Sequence, residues 1–133
     1  MKLLLDTHIF LWVTGESRRL PNTVAETIRD TDNEVFVSAA TFWEIAIKVR
    51  AGKLDIGKVR PGELPLRAVD MGFVPIGILP DETATMGELA ENTHSDPFDR
   101  LLIWQAISRR LTLVSGDAEF ARFKKYGLKL LWK

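Results

Sequence analysis

Four carboxylates, Asp6, Glu44, Asp99 and Asp117, are placed in this 133-residue chain so that they could act together. Oxygen donors without cysteine suit a hard divalent cation, Mg2+ or Mn2+, rather than zinc. A cation held this way can activate water and neutralise charge growing on a phosphoryl group, which is the chemistry of phosphodiester hydrolysis. In the simplest division of labour Asp6, Glu44 and Asp99 hold the principal ion. Asp117 then holds a second ion or orients the water.

The elements that must position these acids can be read from apolar runs and their punctuation. Leu3-Leu4-Leu5 and Val35-Phe36-Val37 are short enough, and apolar enough, to be strands buried on both faces. Further strands are expected near Phe73–Ile76, over Leu111–Val114 and over Leu128–Trp132. Helices are expected over Thr7–Val13, from an opening at Pro21-Asn22 through Arg29, from about Ala40 to Ala51 and near Glu63–Met71. Three more are expected over Asp81–Glu91, Pro97–Arg109 and Ala118–Lys124, with a loop at Asn92–Ser95 between the first two. Short buried strands alternating with helices predict a three-layer α/β/α sandwich around a mainly parallel sheet. In such a sheet the residues just past the strand C-termini gather on one edge. Asp6 follows the first strand directly, and Asp117 follows Leu111–Val114 across Ser115-Gly116. Glu44 lies one turn into the helix after Val35–Val37, and Asp99 in the first turn of the helix opened by Pro97.

Each acid, taken alone, also reads as a helix cap, because acids satisfy free amides at helix N-termini and meet the positive end of the dipole. Asp6 caps the first helix in that reading. Thr41-Phe42-Trp43-Glu44 fits a capping box, with Lys48 one turn on as a partner for Glu44. Asp96-Pro97 is an N-cap followed by proline at the first helical position, with Asp99 behind it. The joint arrangement is different. At a separation of about 5 Å each pair of carboxylates repels by roughly 3 kcal/mol at an effective dielectric of 20. Six such pairs exceed a typical folding stability of about 5–15 kcal/mol, and a divalent cation relieves that repulsion.

Composition bounds the rest. The length fits one domain over residues 1–133, and 46% hydrophobic residues suffice for a core. The absence of cysteine excludes disulfides, thiolate metal sites and cysteine nucleophiles, and fits a reducing compartment, the cytoplasm. Asp6 interrupts the opening apolar run too early for a secretory h-region, and no stretch is long enough for a membrane span. Zero formal net charge argues against a basic coat for non-specific nucleic-acid binding, and leaves room for a local patch. Lys48, Arg50 and Lys53 are the candidate contacts for a nucleic-acid backbone, since they follow Glu44 on one helix.

Several blocks together resemble the PIN-domain ribonucleases, and within them the VapC-like toxins of toxin–antitoxin pairs. They are Leu3-Leu4-Leu5-Asp6-Thr7-His8, Ser38-Ala39-Ala40 with Trp43-Glu44-Ile45-Ala46-Ile47-Lys48, and Gly52-Lys53-Leu54. His94-Ser95-Asp96-Pro97-Phe98-Asp99-Arg100-Leu101-Leu102-Ile103 with Gln105-Ala106 is the most specific, and Leu113-Val114-Ser115-Gly116-Asp117 completes the ordered set. The resemblance implies Mg2+-dependent endoribonuclease activity, a homodimer, and an antitoxin whose tail covers the acids. It places Asp6, Glu44, Asp99 and Asp117 on the family's acidic positions, with Asp96 as an additional acid. Ser115 stands where many relatives carry threonine, keeping a hydroxyl that can orient substrate or water. Ala90-Glu91-Asn92-Thr93 replaces the Leu-Pro that many relatives have before the equivalent of His94.

Thr7 and His94 complete the auxiliary candidates, His94 as a loop histidine able to contact a phosphate or fix Asp96. His8 reads as a packing or hydrogen-bonding residue of the first helical turn, and Phe10, Trp12, Trp43 and Trp104 as core or interface aromatics. A receiver-type switch would want an acidic pair after its first strand and a lysine after Val114, and the sequence has neither. A haloacid-dehalogenase-like phosphatase would want aspartate where His8 stands. A catalytically silent PIN scaffold that only binds protein or RNA is the remaining alternative.

Overall fold

The computed structural model describes residues 1–132; Lys133, the last residue of the expected domain, lies outside them. Five strands, β1 (Lys2–Leu5), β2 (Glu34–Ser38), β3 (Val74–Ile76), β4 (Thr112–Val114) and β5 (Lys129–Leu131), form one sheet. The order is β3-β2-β1-β4-β5 and every pairing is parallel. The chain therefore winds outward from β1 in one direction through β2 and β3. It returns to the other side of β1 for β4 and β5. This reversal between β1 and β4 is the place where open parallel sheets bind their ligands.

Leu3, Leu4 and Leu5 are fully buried, as a central strand covered on both faces requires. Because successive side chains alternate, Leu3 and Leu5 enter one core and Leu4 the other. The first core joins Val35, Val37 and Val114 to Ile9 and Phe10 of α1 (Thr7–Gly15) and Val24, Ala25 and Ile28 of α2 (Asn22–Arg29). Ile45 of α3 (Ala39–Arg50) and Leu64 and Ala68 of α4 (Leu64–Asp70) complete it. The second packs Leu113 and Leu128 against Leu101, Leu102, Ile103 and Ala106 of α6 (Pro97–Arg109). Phe120 and Phe123, from the segment after β4, close this side. The expected three-layer α/β/α sandwich is present, and its sheet is entirely parallel.

Two elements differ from the expectation. The helix anticipated over Asp81–Glu91 is a short α5 (Pro80–Ala84), a 3₁₀ turn (Met86–Glu88) and an extended segment from Leu89 onward. Thr83 and Thr85 turn their hydroxyls back onto the carbonyls of Pro80 and Asp81, a bonding pattern that weakens helices. Arg100 then takes the carbonyls of Leu89, Glu91 and His94, which holds that stretch extended. Residues Ala118–Tyr126 wind as a 3₁₀ helix rather than an α-helix over Ala118–Lys124. It stops at Gly127, whose φ of 102° is open to glycine alone among common residues.

α5 and α6 are joined by a fork. Arg109 Nε donates to Glu82 Oε2 at 2.6 Å and Nη2 donates to Oε1 at 2.8 Å. Glu82 is only 6% exposed. The Arg109 hydrogen bonds hold its carboxyl down at about 2, against an ordinary value of 4.5. A carboxylate whose folded pKa is depressed contributes stability that is present above its ordinary value and lost as pH falls through the folded one. Glu82→Gln is expected to cost about 3 kcal/mol near neutral pH, the scale of a broken buried pair. The gap to the unsubstituted protein should narrow as pH drops from about 4.5 towards 2. Urea unfolding at a series of pH values reads this directly, and a pH-independent gap would contradict it.

Candidate active site

The acids lie at the C-terminal edge of the sheet, and each owes its position to a helix start. Asp6 ends β1 and caps α1, its Oδ1 accepting from the Ile9 amide at 3.0 Å. Its own amide donates to the Val114 carbonyl, which ties it to β4 across the switch point. The other oxygen, Oδ2, accepts from the Ser115 hydroxyl at 2.6 Å. Ser115 Oγ in turn accepts from the Asp117 amide, so one hydroxyl links Asp6 to the turn that carries Asp117. Burial pushes the Asp6 carboxyl above its ordinary value, against the Ser115 and Ile9 hydrogen bonds that favour the charged form.

Glu44 is 3% exposed and reaches inward from α3. The Thr7 hydroxyl donates to its Oε1 at 2.7 Å, and Lys48 Nζ donates to Oε2 at 2.5 Å. Lys48 is held above its ordinary pKa first by that bond and further by the charges of Glu44, Asp96 and Asp99. The capping box anticipated at Thr41–Glu44 is absent. Ser38 caps α3, accepting from the Ala40 amide, and Thr41 lies inside the helix with its hydroxyl 3.2 Å from that of Thr7. Starting the helix three residues early turns Glu44 from a cap into a side chain projecting toward the sheet edge.

Asp96 caps α6 by accepting from the Asp99 amide at 2.9 Å. Asp99, one turn in, shares a 2.9 Å hydrogen bond between its Oδ2 and His94 Nε2. His94 therefore fixes Asp99 rather than Asp96. Burial raises the Asp99 carboxyl above its ordinary value. The His94 bond opposes this, and the neighbouring charges of Asp96 and Glu44 add to it. Asp117 caps the 3₁₀ segment through the Glu119 amide at 2.9 Å and is otherwise exposed.

Among the described residues, one ligand atom each from His94, Asp99 and Asp117 lie within 4.8 Å of one another. Glu44 joins them through its charge coupling to Asp99, and Asp6 through Ser115. The close set thus contains two of the four expected acids together with a histidine. Asp6 and Glu44 occupy adjoining hydrogen-bonded networks. A divalent cation fits this donor chemistry, since it would lower the carboxyls that burial and mutual repulsion now raise.

The chain aligns over residues 3–126 with the PIN domain family. It belongs to that family. This PIN domain is 29% identical over 115 residues to ribonuclease VapC22 of Mycobacterium tuberculosis, covering 86% of each chain. Its fold matches the structure of VapBC2 from Rickettsia felis, bound to a promoter DNA fragment, with a TM-score of 0.74. That match has 20% identity and covers 100% of both chains. VapBC-1 from nontypeable Haemophilus influenzae matches at a TM-score of 0.68 and 18% identity, over 98% of this chain and 97% of that one.

Around the acids the PIN domain carries residues to which the sequence reading gave no role. Arg100 pins the loop that presents His94, and Gln105 accepts from the fully buried Ser38 hydroxyl at 2.6 Å. Both fall inside the His94–Ala106 block, where their types alone announced nothing. Trp43, expected to be core or interface, is 56% exposed and packs edge-to-face with Phe98 at 5.1 Å. Lys48 is committed to Glu44, whereas Arg50 and Lys53 are exposed beyond it. Pro-free residues 90–93 are held by Glu91, whose carboxylate accepts from the Thr93 amide and hydroxyl.

The turn Ser115-Gly116-Asp117 is sterically tight. A Cβ on Gly116 would come within 2.8 Å of the Trp132 ring. Gly116→Ala is therefore expected to destabilise the protein by about 1–3 kcal/mol, the cost of overpacking. In a Trp132→Ala background the same substitution should cost much less. A double-mutant cycle on urea midpoints measures the difference, and additive costs would show that the ring is not the obstacle.

Proposed function

We propose that this PIN domain is a cation-dependent endoribonuclease, hydrolysing RNA phosphodiester bonds as the toxin of a toxin–antitoxin pair. The observation that carries the reading is the approach of Asp99 and Asp117 beside the switch point of the sheet, with Glu44 coupled to Asp99. Kinship to a ribonuclease and the likeness to VapBC structures support it. Asp6, Glu44, Asp99 and Asp117 would hold Mg2+ or Mn2+. Such an ion supplies Lewis acidity, neutralising charge on the phosphoryl group and making a water more acidic.

The protein's own residues supply the placement. Thr7 fixes the rotamer of Glu44, and Ser115 orients Asp6 while gripping the Asp117 amide. Lys48 offsets the charge of Glu44, and Asp96 sets the first turn on which Asp99 rides. Arg50 and Lys53 are available to the RNA backbone. By the same reading the protein is a cytoplasmic homodimer, silenced by an antitoxin segment laid over the acids.

Purified protein is incubated with structured RNA with Mg2+, with Mn2+ and with chelator. Cleavage should require the cation. Asp6→Asn and Asp99→Asn should each lose on the order of 100-fold in rate, the scale of a lost transition-state electrostatic contact. Chelator-resistant cleavage, or full activity in both variants, would overturn the assignment. No cleavage of any RNA with a cation present would favour a binding scaffold instead. Expression in a bacterial host should slow growth, with relief by the protein of an adjacent small gene, and unaffected growth would remove the toxin role.

A further inference from the structure

We propose that His94 is itself a metal ligand beside Asp99 and Asp117, so that a nitrogen joins the oxygen donors of the site. The cation it favours is then a first-row transition ion such as Mn2+ over Mg2+. The inference rests on the reading that the acids hold a cation, and it concerns which atoms hold it and which ion they prefer.

Three features of the structure carry it. First, His94 Nε2 and Asp99 Oδ2 are 2.9 Å apart, and one ligand atom each of His94, Asp99 and Asp117 lie within 4.8 Å of one another. Adjacent ligands of an octahedral ion with bonds of about 2.1 Å are about 3 Å apart, and opposite ones about 4.2 Å. The His94–Asp99 spacing is already that of two adjacent ligands, and Asp117, with Oδ1 on the Glu119 amide, offers Oδ2 from an exposed position. Second, the imidazole is held in place before any ion arrives. Its ring meets the edges of Phe120 and Phe123 at 5.5 and 6.4 Å. Its backbone carbonyl is one of three gripped by Arg100, and its side chain is only 16% exposed. Preorganisation of this kind is what a ligand needs and a surface histidine lacks. Third, Glu44 has both oxygens engaged, by Thr7 and by Lys48. His94 is the residue whose ligand atom groups with those of Asp99 and Asp117.

Coordination needs the Nε2 lone pair, so the liganded ring carries its one N–H proton on Nδ1; any proton on Nε2 passes to solvent, which supplies Nδ1 where that nitrogen lacks one. The hydrogen bond between His94 and Asp99 then gives way to a bond from each to the cation. Imidazole binds first-row transition ions better than it binds Mg2+, and Mn2+ is the one among them that carboxylates also suit, so a nitrogen added to the acids shifts the preference from Mg2+ towards Mn2+.

The chain has only two histidines, His8 and His94, so a nitrogen signal on a bound ion can be assigned. MnCl2 is added to the purified full chain, and pulsed EPR records coupling of Mn2+ to imidazole 14N. The coupling should be present in the unsubstituted protein, persist in His8→Gln and disappear in His94→Gln. The backbone carbonyl that Arg100 uses is kept in the His94 variant, and circular dichroism verifies its fold. The ratio of Mn2+ to Mg2+ affinity should fall at least about tenfold in that variant. Mn2+ binding without nitrogen coupling, or coupling lost in His8→Gln instead, overturns the role of His94 and leaves the acids as the cation site. If Mn2+ does not bind at all, the cation reading fails, and this inference fails with it.

Discussion

Because all five strands run the same way, their C-terminal ends lie on one edge, and everything that follows a strand must start there. That single constraint crowds the beginnings of α1, α3 and α6 and of the 3₁₀ segment into a small volume. Helix beginnings demand acceptors, and this chain supplies Asp6, Ser38, Asp96 and Asp117 as caps. The acids are therefore crowded because the sheet is parallel, and their repulsion is a cost of the topology. Helix dipoles pointing at the edge offset part of it.

Capping and ligation at first look like rival explanations of these residues. The geometry makes them compatible, since a carboxylate has two oxygens. Asp6 gives Oδ1 to the Ile9 amide and keeps Oδ2 for Ser115. Asp117 likewise gives Oδ1 to the Glu119 amide. Fixing one oxygen to the backbone aims the other, so the cap is what confers direction. Asp99 is aimed differently, by the imidazole of His94.

Much of the frame was legible before any coordinates. Leu3–Leu5 is apolar at every position, which means burial on both faces, and Pro97 after Asp96 marks a helix start by two independent signals. What escaped depended on groups distant in sequence. Nothing local reveals that Ser38, not Thr41, caps α3, because that choice follows from Thr7 taking up both Thr41 and Glu44. Nor does the 81–91 stretch disclose that Arg100 will claim its carbonyls. His94 stands out by its place in a block, but its pairing with Asp99 rather than Asp96 does not, because a spacing of five residues across a loop fixes no geometry. The exposure of Trp43 was likewise hidden: its type suggests burial, and only the rotation of α3 decides.

The polar contact between Ser38 and Gln105 lies inside the protein where two helices cross. Ser38, the last residue of β2 and the cap of α3, stands six residues before Glu44, and Gln105 sits on α6 six residues after Asp99. Gln105 is further tied to Glu82, and through it to Arg109. The two acid-bearing helices are thus pinned at a common point to the sheet's second strand, about equally far along each from its carboxylate. Sliding one past the other would break bonds that no water can replace. Trp43 on Phe98 joins the same two helices beside their acids, so Glu44 and Asp99 face each other in a register fixed at two points.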